Sequence, residues 1–223
     1  MKRQSKTETA RAYRINGSSR RYSRQLPEVR RAAIVQAAIR CLDKGGASHL
    51  TTTSVMNEAK VSRGLVNFHF ESKEQLLLAT LQMLMDEYSS SWKRAVAEAG
   101  PDPAAQLLAM IKNDFRPEIC NRPKAAVWFA FRGETKARPT YLEVCTRADN
   151  EYDETINRLM SALVADGGAP VDARLVASGV QSMVEGFWID CLMYPQSFDR
   201  DKALAAVRQY LAVALPRHFG RKG

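Results

Sequence analysis

The 223-residue chain reads as all-α, on three observations. Apolar residues recur at helical spacing along most of its length. No run keeps the two-residue alternation of a half-buried strand. Ser, Thr, Asp, Gly and Pro stand where helices would start and stop.

Taken in order, Pro27 suits the opening of a helix over residues 28–44, whose apolar face is Ala33, Ile34, Ala37, Ala38, Cys41 and Leu42. Gly45-Gly46 stops it. Thr51 is an N-cap for a short segment with Val55 and Ala59 four apart on one face. That run breaks at Lys60-Val61-Ser62, and Ser62 caps the next helix, residues 63–69. Lys60 falls near a position that favours positive φ, which costs a non-glycine residue about 1 kcal/mol. Two caps about eleven residues apart, with an apolar Val61 at the corner, are the pattern of a helix-turn-helix. Glu71-Ser72-Lys73 then opens a long helix from 72 to about 99, carrying Leu76, Leu77, Leu81, Leu84, Tyr88 and Trp92 and ending at Gly100-Pro101. Further helices are expected over 103–115, 123–136, 139–165, 171–194 and 199–215, punctuated by Pro117, Gly167-Gly168, Pro195 and Pro216.

This order divides the chain into a basic, disordered arm (1–27), a helix-turn-helix head (28–75), a helical effector-binding and dimerisation module (76–216) and a tail (217–223). The long helix is expected to be the one element shared by both modules. The two last long helices are expected to dimerise through Ala173, Val176, Gly179, Val180 and Met183 with Ala203, Val207 and Leu211.

The net charge of +9 is unevenly placed. Residues 1–27 hold eight Lys/Arg against one Glu, and residues 28–80 hold seven against five, whereas 81–223 are balanced at eighteen of each sign. The basic end calls for a polyanion, and DNA fits better than a membrane surface because the arm carries few bulky apolar residues. The arm stays open between a groove-entering arm, a solvated tail and an extension upstream of the natural start. No run approaches the eighteen apolar residues of a membrane span, and the N-terminus lacks a signal-peptide core, so the cytoplasm is the expected compartment. Four scattered cysteines without a Cys-x-x-Cys pair fit buried free thiols. Three histidines without ligand spacing, no phosphate loop and no nucleophile elbow argue against an enzyme, and no cofactor or metal is expected. A non-specific architectural DNA binder is the alternative, but it would not need a neutral, aromatic-bearing second module.

The string Thr51, Val55, Ala59-Lys60-Val61-Ser62, Gly64, His69-Phe70 and Ser72-Lys73 resembles the N-terminal domain of TetR-family transcriptional regulators. Lys60 stands where that family usually has Gly, and Asn67 where it often has Tyr. Read chemically, Ser62 and Arg63 at the recognition-helix N-terminus reach phosphate or a guanine edge, and Gly64 lets the backbone approach. Leu65 and Phe68 offer apolar contact to thymine methyl groups, and Asn67 an amide for adenine. The resemblance adds Thr51, Thr52, His69 and Lys73 as phosphate contacts. It implies a homodimer on a palindromic double-stranded operator, most simply a repressor released by a small molecule.

In the second module, Ala126-Val127-Trp128-Phe129-Ala130-Phe131, then Pro139 and Tyr141, and Val184-Glu185-Gly186-Phe187-Trp188 resemble the branch that contains the choline-responsive repressor of glycine-betaine synthesis. Trp128 and Phe131 lie three apart on one helix, as Glu185 and Trp188 do on another, so each pair is expected to share a face. Two aromatic planes and a carboxylate suit a quaternary amine or another organic cation. Arg132 and Asp190 depart from the branch, standing where an aromatic and a basic residue are usual. Plain core packing of both tryptophans is the competing reading.

Overall fold

A computed structural model describes residues 27–136 and 139–220, and all the regular structure among them is helical. The expected arm therefore lies, but for Pro27, outside the described residues. Helix α1 (Pro27–His49) buries Ile34, Val35, Ala38 and Leu42 and breaks where Gly46 takes φ 64. The pair α2 (Thr52–Ala59) and α3 (Arg63–His69) packs across it. Thr51 closes a capping box with Ser54, and Ser62 caps α3 by accepting from the Leu65 amide. At the corner, Lys60 sits in the left-handed region (φ 55, ψ 44), as its place in the turn predicts.

Helix α4 (Lys73–Glu98) leaves the head under a Ser72 cap. It joins α5 (Pro103–Asp114), α6 (Arg122–Glu134), α7 (Pro139–Gly167), α8 (Ala173–Met193) and α9 (Arg200–Ala214) in a helical body. Asp102, Asn121, Asp172 and Asp199 cap α5, α6, α8 and α9 with side-chain hydrogen bonds. Pro216 does not end the fold. It begins a single turn, α10 (Pro216–Phe219), since proline at a first helical position loses no hydrogen bond. His218 Nε2 lies 3.0 Å from the Leu163 carbonyl and Phe219 packs on the body's core, so the expected tail is built in as far as residue 220.

Two further expectations are corrected. Ala203, Val176, Val180, Val207 and Leu211 fill the core of the single chain, together with Trp92, Leu107 and Ile156. Gly179 serves the same packing, because a Cβ there would stand 2.5 Å from the Tyr210 hydroxyl. The apolar side chains that α8 and α9 leave exposed are others, chiefly Leu175 (71 %) and Val213 (73 %), with Ile189 and Met193.

The second correction concerns the link between modules. Helix α4 is not the sole shared element, because α6 packs along α1. Val127 and Phe131 of α6 join the head's own apolar core, and Tyr141, Cys145 and Ala148 of α7 extend it. Arg122 at the start of α6 pairs with Asp43 of α1, and Lys124 Nζ reaches Glu87 of α4 at 2.7 Å. The two modules thus share a buried apolar contact whose Phe131 ring alone contributes about 2–3 kcal/mol of burial.

Candidate functional site

On the head, α3 divides its side chains cleanly. Val66 and the following Phe70 are buried, while Arg63, Gly64, Asn67 and Phe68 face solvent. Phe68 is 78 % exposed, an unusual position for a large apolar ring and one that leaves it free to meet an outside surface. Leu65 and His69 are half-buried on its flanks, and the His69 ring meets Phe68 edge-on at 5.2 Å. Thr51 is committed to its cap: its Oγ1 accepts from the Ser54 amide at 3.0 Å and donates to Ser54 Oγ at 3.1 Å. Its hydroxyl hydrogen is therefore spent inside the head, and Thr52 beside it is the freer of the two. Lys73 is exposed on the first turn of α4.

In the body a cavity of about 250 Å³ opens between α4, α6, α7 and α8. Five aromatic residues line it, Phe129 and a wall of four rings packed on one another. Trp128 meets Trp188 at 6.1 Å and Tyr88 at 6.3 Å, Tyr88 meets Trp188 at 6.0 Å, and Tyr88 stacks on Tyr152 at 5.9 Å. Three carboxylates, Asp149, Asp153 and Glu185, line it against the single guanidinium of Arg132. Arg132 donates to Asp149 Oδ2 at 2.9 Å, stands 3.6 Å from Glu185 Oε1, and lies over the Trp128 ring at 4.7 Å. Asp153 accepts a hydrogen bond from Gln181. Among the described residues the lining is thus acidic by two formal charges.

Trp128, Glu185 and Trp188 are brought together as expected, but Phe131 is not. At about 100° per residue, Trp128, Phe129 and Arg132 share one side of α6, while Val127 and Phe131 turn about 60–100° the other way. Phe131 is 3 % exposed and packs edge-on against Tyr141 at 5.0 Å, on the head side of the helix. On α8 the same three-residue spacing succeeds, because Gln181, Val184, Glu185 and Trp188 fall within about one 100° arc.

Sequence reasoning missed Tyr88, Tyr152, Asp149 and Asp153. The place of Tyr88 in the apolar stripe of α4 is right for its ring and silent about its hydroxyl. The signal for the others is the spacing Asp149, Tyr152, Asp153, one turn of α7 that keeps an aromatic between two acids.

Behind the rings sits Asp114, wholly buried at the end of α5. Tyr88 Oη donates to its Oδ1 at 2.8 Å and Tyr152 Oη to its Oδ2 at 2.6 Å, while Trp188 Nε1 donates to its backbone carbonyl at 3.0 Å. Burial pushes the carboxyl up to about 7 against the opposing pull of the two hydroxyls. Both tyrosine hydroxyls are pushed well above their ordinary range, first by burial and then by the neighbouring carboxylate. Asp149 is raised by burial, with Arg132 opposing. Three of the four rings are therefore hydrogen-bonded to one residue, which fixes the wall from behind.

The family comparison covers both modules. Residues 34–80 match the model of the bacterial regulatory proteins of the tetR family, and residues 103–216 match the BetI-type transcriptional repressor C-terminal domain. The chain is 30% identical over 192 residues to the HTH-type transcriptional regulator BetI of Paraburkholderia phymatum, covering 84% of this chain and 94% of that one. The corresponding protein of Paraburkholderia phytofirmans is 29% identical over 191 residues, with the same shares covered. Among solved structures, a proposed transcriptional regulator from Pseudomonas aeruginosa PAO1 superposes with a TM-score of 0.75 at 24% identity, over 89% of this chain and 98% of that one. A proposed regulator from Saccharomonospora viridis in complex with choline does so with a TM-score of 0.70 at 20% identity, over 82% and 96%. These two are likenesses of fold. With a matching head and a matching sensor domain, the chain belongs to the TetR family and is a ligand-responsive, sequence-specific DNA-binding transcriptional repressor with a BetI-type C-terminal domain.

Proposed function

We propose that the chain works in the cytoplasm as a homodimer that holds a palindromic operator through two copies of α3 and releases it when a small organic cation, a quaternary amine foremost, enters the cavity. The observation that carries the effector class is the four-ring wall facing three carboxylates and one guanidinium. Rings attract a cation through their negative faces, and the excess of two acidic charges attracts it from solvent. Trp128, Glu185 and Trp188 contact it, with Tyr88, Tyr152 and Asp153 added from the geometry. On the operator, Arg63, Asn67 and Phe68 reach base edges from the exposed face of α3, and Ser62, Thr52, His69 and Lys73 hold phosphates. The exposed Leu175, Ile189, Met193 and Val213 of α8 and α9 supply the apolar part of the two-fold contact.

Release follows from α6, which carries Trp128 and Arg132 on one side and Val127 and Phe131 on the other. A ligand that seats on the first pair moves the second pair against α1, and α4 moves with it through Tyr88. The two recognition helices must sit about one DNA turn apart, so a shift of a few ångströms spoils simultaneous docking. Coupling of about 1–3 kcal/mol is enough for a useful response.

The test is a titration of the full chain with choline, followed by tryptophan emission and by operator binding over the same concentrations. Emission and operator affinity should change together. Neutral or anionic compounds acting where amines do not would overturn the cation reading, and light scattering that gives a monomer would overturn the dimer.

A further inference from the structure

Arg132 is the odd side chain in a cation site, and its geometry is specific. The guanidinium carbon lies 4.7 Å from the centre of the Trp128 ring, within the range of a cation–π contact. Ring and guanidinium are four residues apart on α6, so the cation is tethered beside the ring at high local concentration. Its two carboxylate partners come from other helices, Asp149 of α7 at 2.9 Å and Glu185 of α8 at 3.6 Å. Its Nε is buried with no hydrogen-bond acceptor among the described residues. A guanidinium built permanently into a wall would normally satisfy that donor. Here it is held by the ring and by charges at the mouth.

We propose that Arg132 is a built-in occupant of the effector's cation seat: in the ligand-free repressor its guanidinium takes the place on Trp128 that the effector's cation takes on binding, so that response is an exchange of one cation for another. This rests on the cation reading above and adds to it a residue that sets affinity. Asp149 and Glu185 are partly exposed, and the guanidinium keeps its hydrogen-bonded partner Asp149 when it leaves the ring, which frees Glu185 for the incoming cation. The consequence is a raised threshold. An effector must outcompete a tethered rival, which a well-fitting quaternary ammonium does and a weak, highly hydrated cation does not.

The experiment is calorimetric titration of the full-length protein with choline and with tetramethylammonium, for the wild type, Arg132→Gln and Arg132→Lys. Arg132→Gln empties the seat and should tighten both amines by about tenfold, the scale of one cation–π contact. Arg132→Lys keeps the charge on a shorter stem and should tighten them by less. It also serves if the Gln variant melts early. Methylguanidinium, added to the Gln variant without amine, should restore the tryptophan emission of the ligand-free wild type; in the wild type it should change nothing. Equal or weaker amine binding by both variants would show that Arg132 builds the seat rather than fills it. A carboxylate ligand that binds the wild type and is lost in Arg132→Gln would make it an anion anchor and overturn the exchange. If no protein binds either amine while each folds, the cation reading falls first and takes the exchange with it.

Discussion

The reading face of the head and the wall of the cavity are both built on helices, by opposite electrostatic rules. On α3, polar and apolar side chains stand in water, fixed by caps and by two buried neighbours, Val66 and Phe70. In the cavity, charged groups are brought against rings and one carboxyl is buried outright, so ionisation becomes part of the structure. A surface that meets a polyanion needs its groups solvated and poised. A seat for a small molecule needs them partly stripped of water, because only then are single charges worth much.

The contact that joins these regions should give the largest effect when broken. Phe131→Ala removes a buried ring between α6 and the head and should cost about 3–5 kcal/mol in urea unfolding. Choline binding should survive, since the ring faces away from the cavity, while the effect of choline on operator affinity should shrink. A loss below 1 kcal/mol would mean that the head does not lean on α6.

Next is the buried carboxyl. The folded pKa of Asp114, about 7, lies above its ordinary 3.8, so the folded chain holds the proton more tightly than the unfolded one. That stabilisation is complete below about pH 4 and is lost as pH rises through about 7, by on the order of 4 kcal/mol at most. Unfolding free energy should therefore fall from pH 5 to pH 8 more steeply in the wild type than in Asp114→Asn. A cation lodged against Tyr88, Tyr152 and Trp188 favours the ionised form, and choline should bind more tightly at pH 8 than at pH 6. Equal binding at both would separate Asp114 from the cavity.

On the head the expected changes are smaller and affect recognition only. Arg63→Ala and Asn67→Ala should each cost about 1–3 kcal/mol of operator affinity and relax base preference, with unfolding and choline binding unchanged. A loss spread evenly over all DNA sequences would instead assign that residue to phosphate. Smallest is Lys60→Gly, which relieves a left-handed backbone and should raise stability by up to about 1 kcal/mol, offset in part by the extra freedom of unfolded glycine.

The head was legible because its signals are local. Caps at Thr51, Ser62 and Ser72 and the left-handed turn at Lys60 are each decided within four residues. The cavity was legible in full only on α8, with Glu185 and Trp188, and in part on α6, with Trp128. Phe131 was misplaced because a three-residue spacing sets the angle between two side chains but not which way their shared face points. Tyr88 and Tyr152 meet across 64 positions of sequence, and Asp114, next to Asn113 at a helix end, looks like any surface aspartate until two hydroxyls close over it. Nothing in the local pattern reports such meetings.

The interleaving of two faces on α6 fixes how this repressor can change over generations. Residues 128, 129 and 132 line the cavity and residues 127 and 131 pack on the head, so on the proposed function the first set decides what is sensed and the second whether the head hears it. Point substitutions reach one set without the other, so a lineage can acquire a new inducer while keeping its switch. A single inserted residue instead turns everything beyond it by about 100°, which carries Val127 and Phe131 to the cavity side and leaves the head side to Ala126 and Ala130. Inducer range is therefore free to drift by replacement and closed to drift by insertion, and anyone recasting this protein as a biosensor inherits the same constraint.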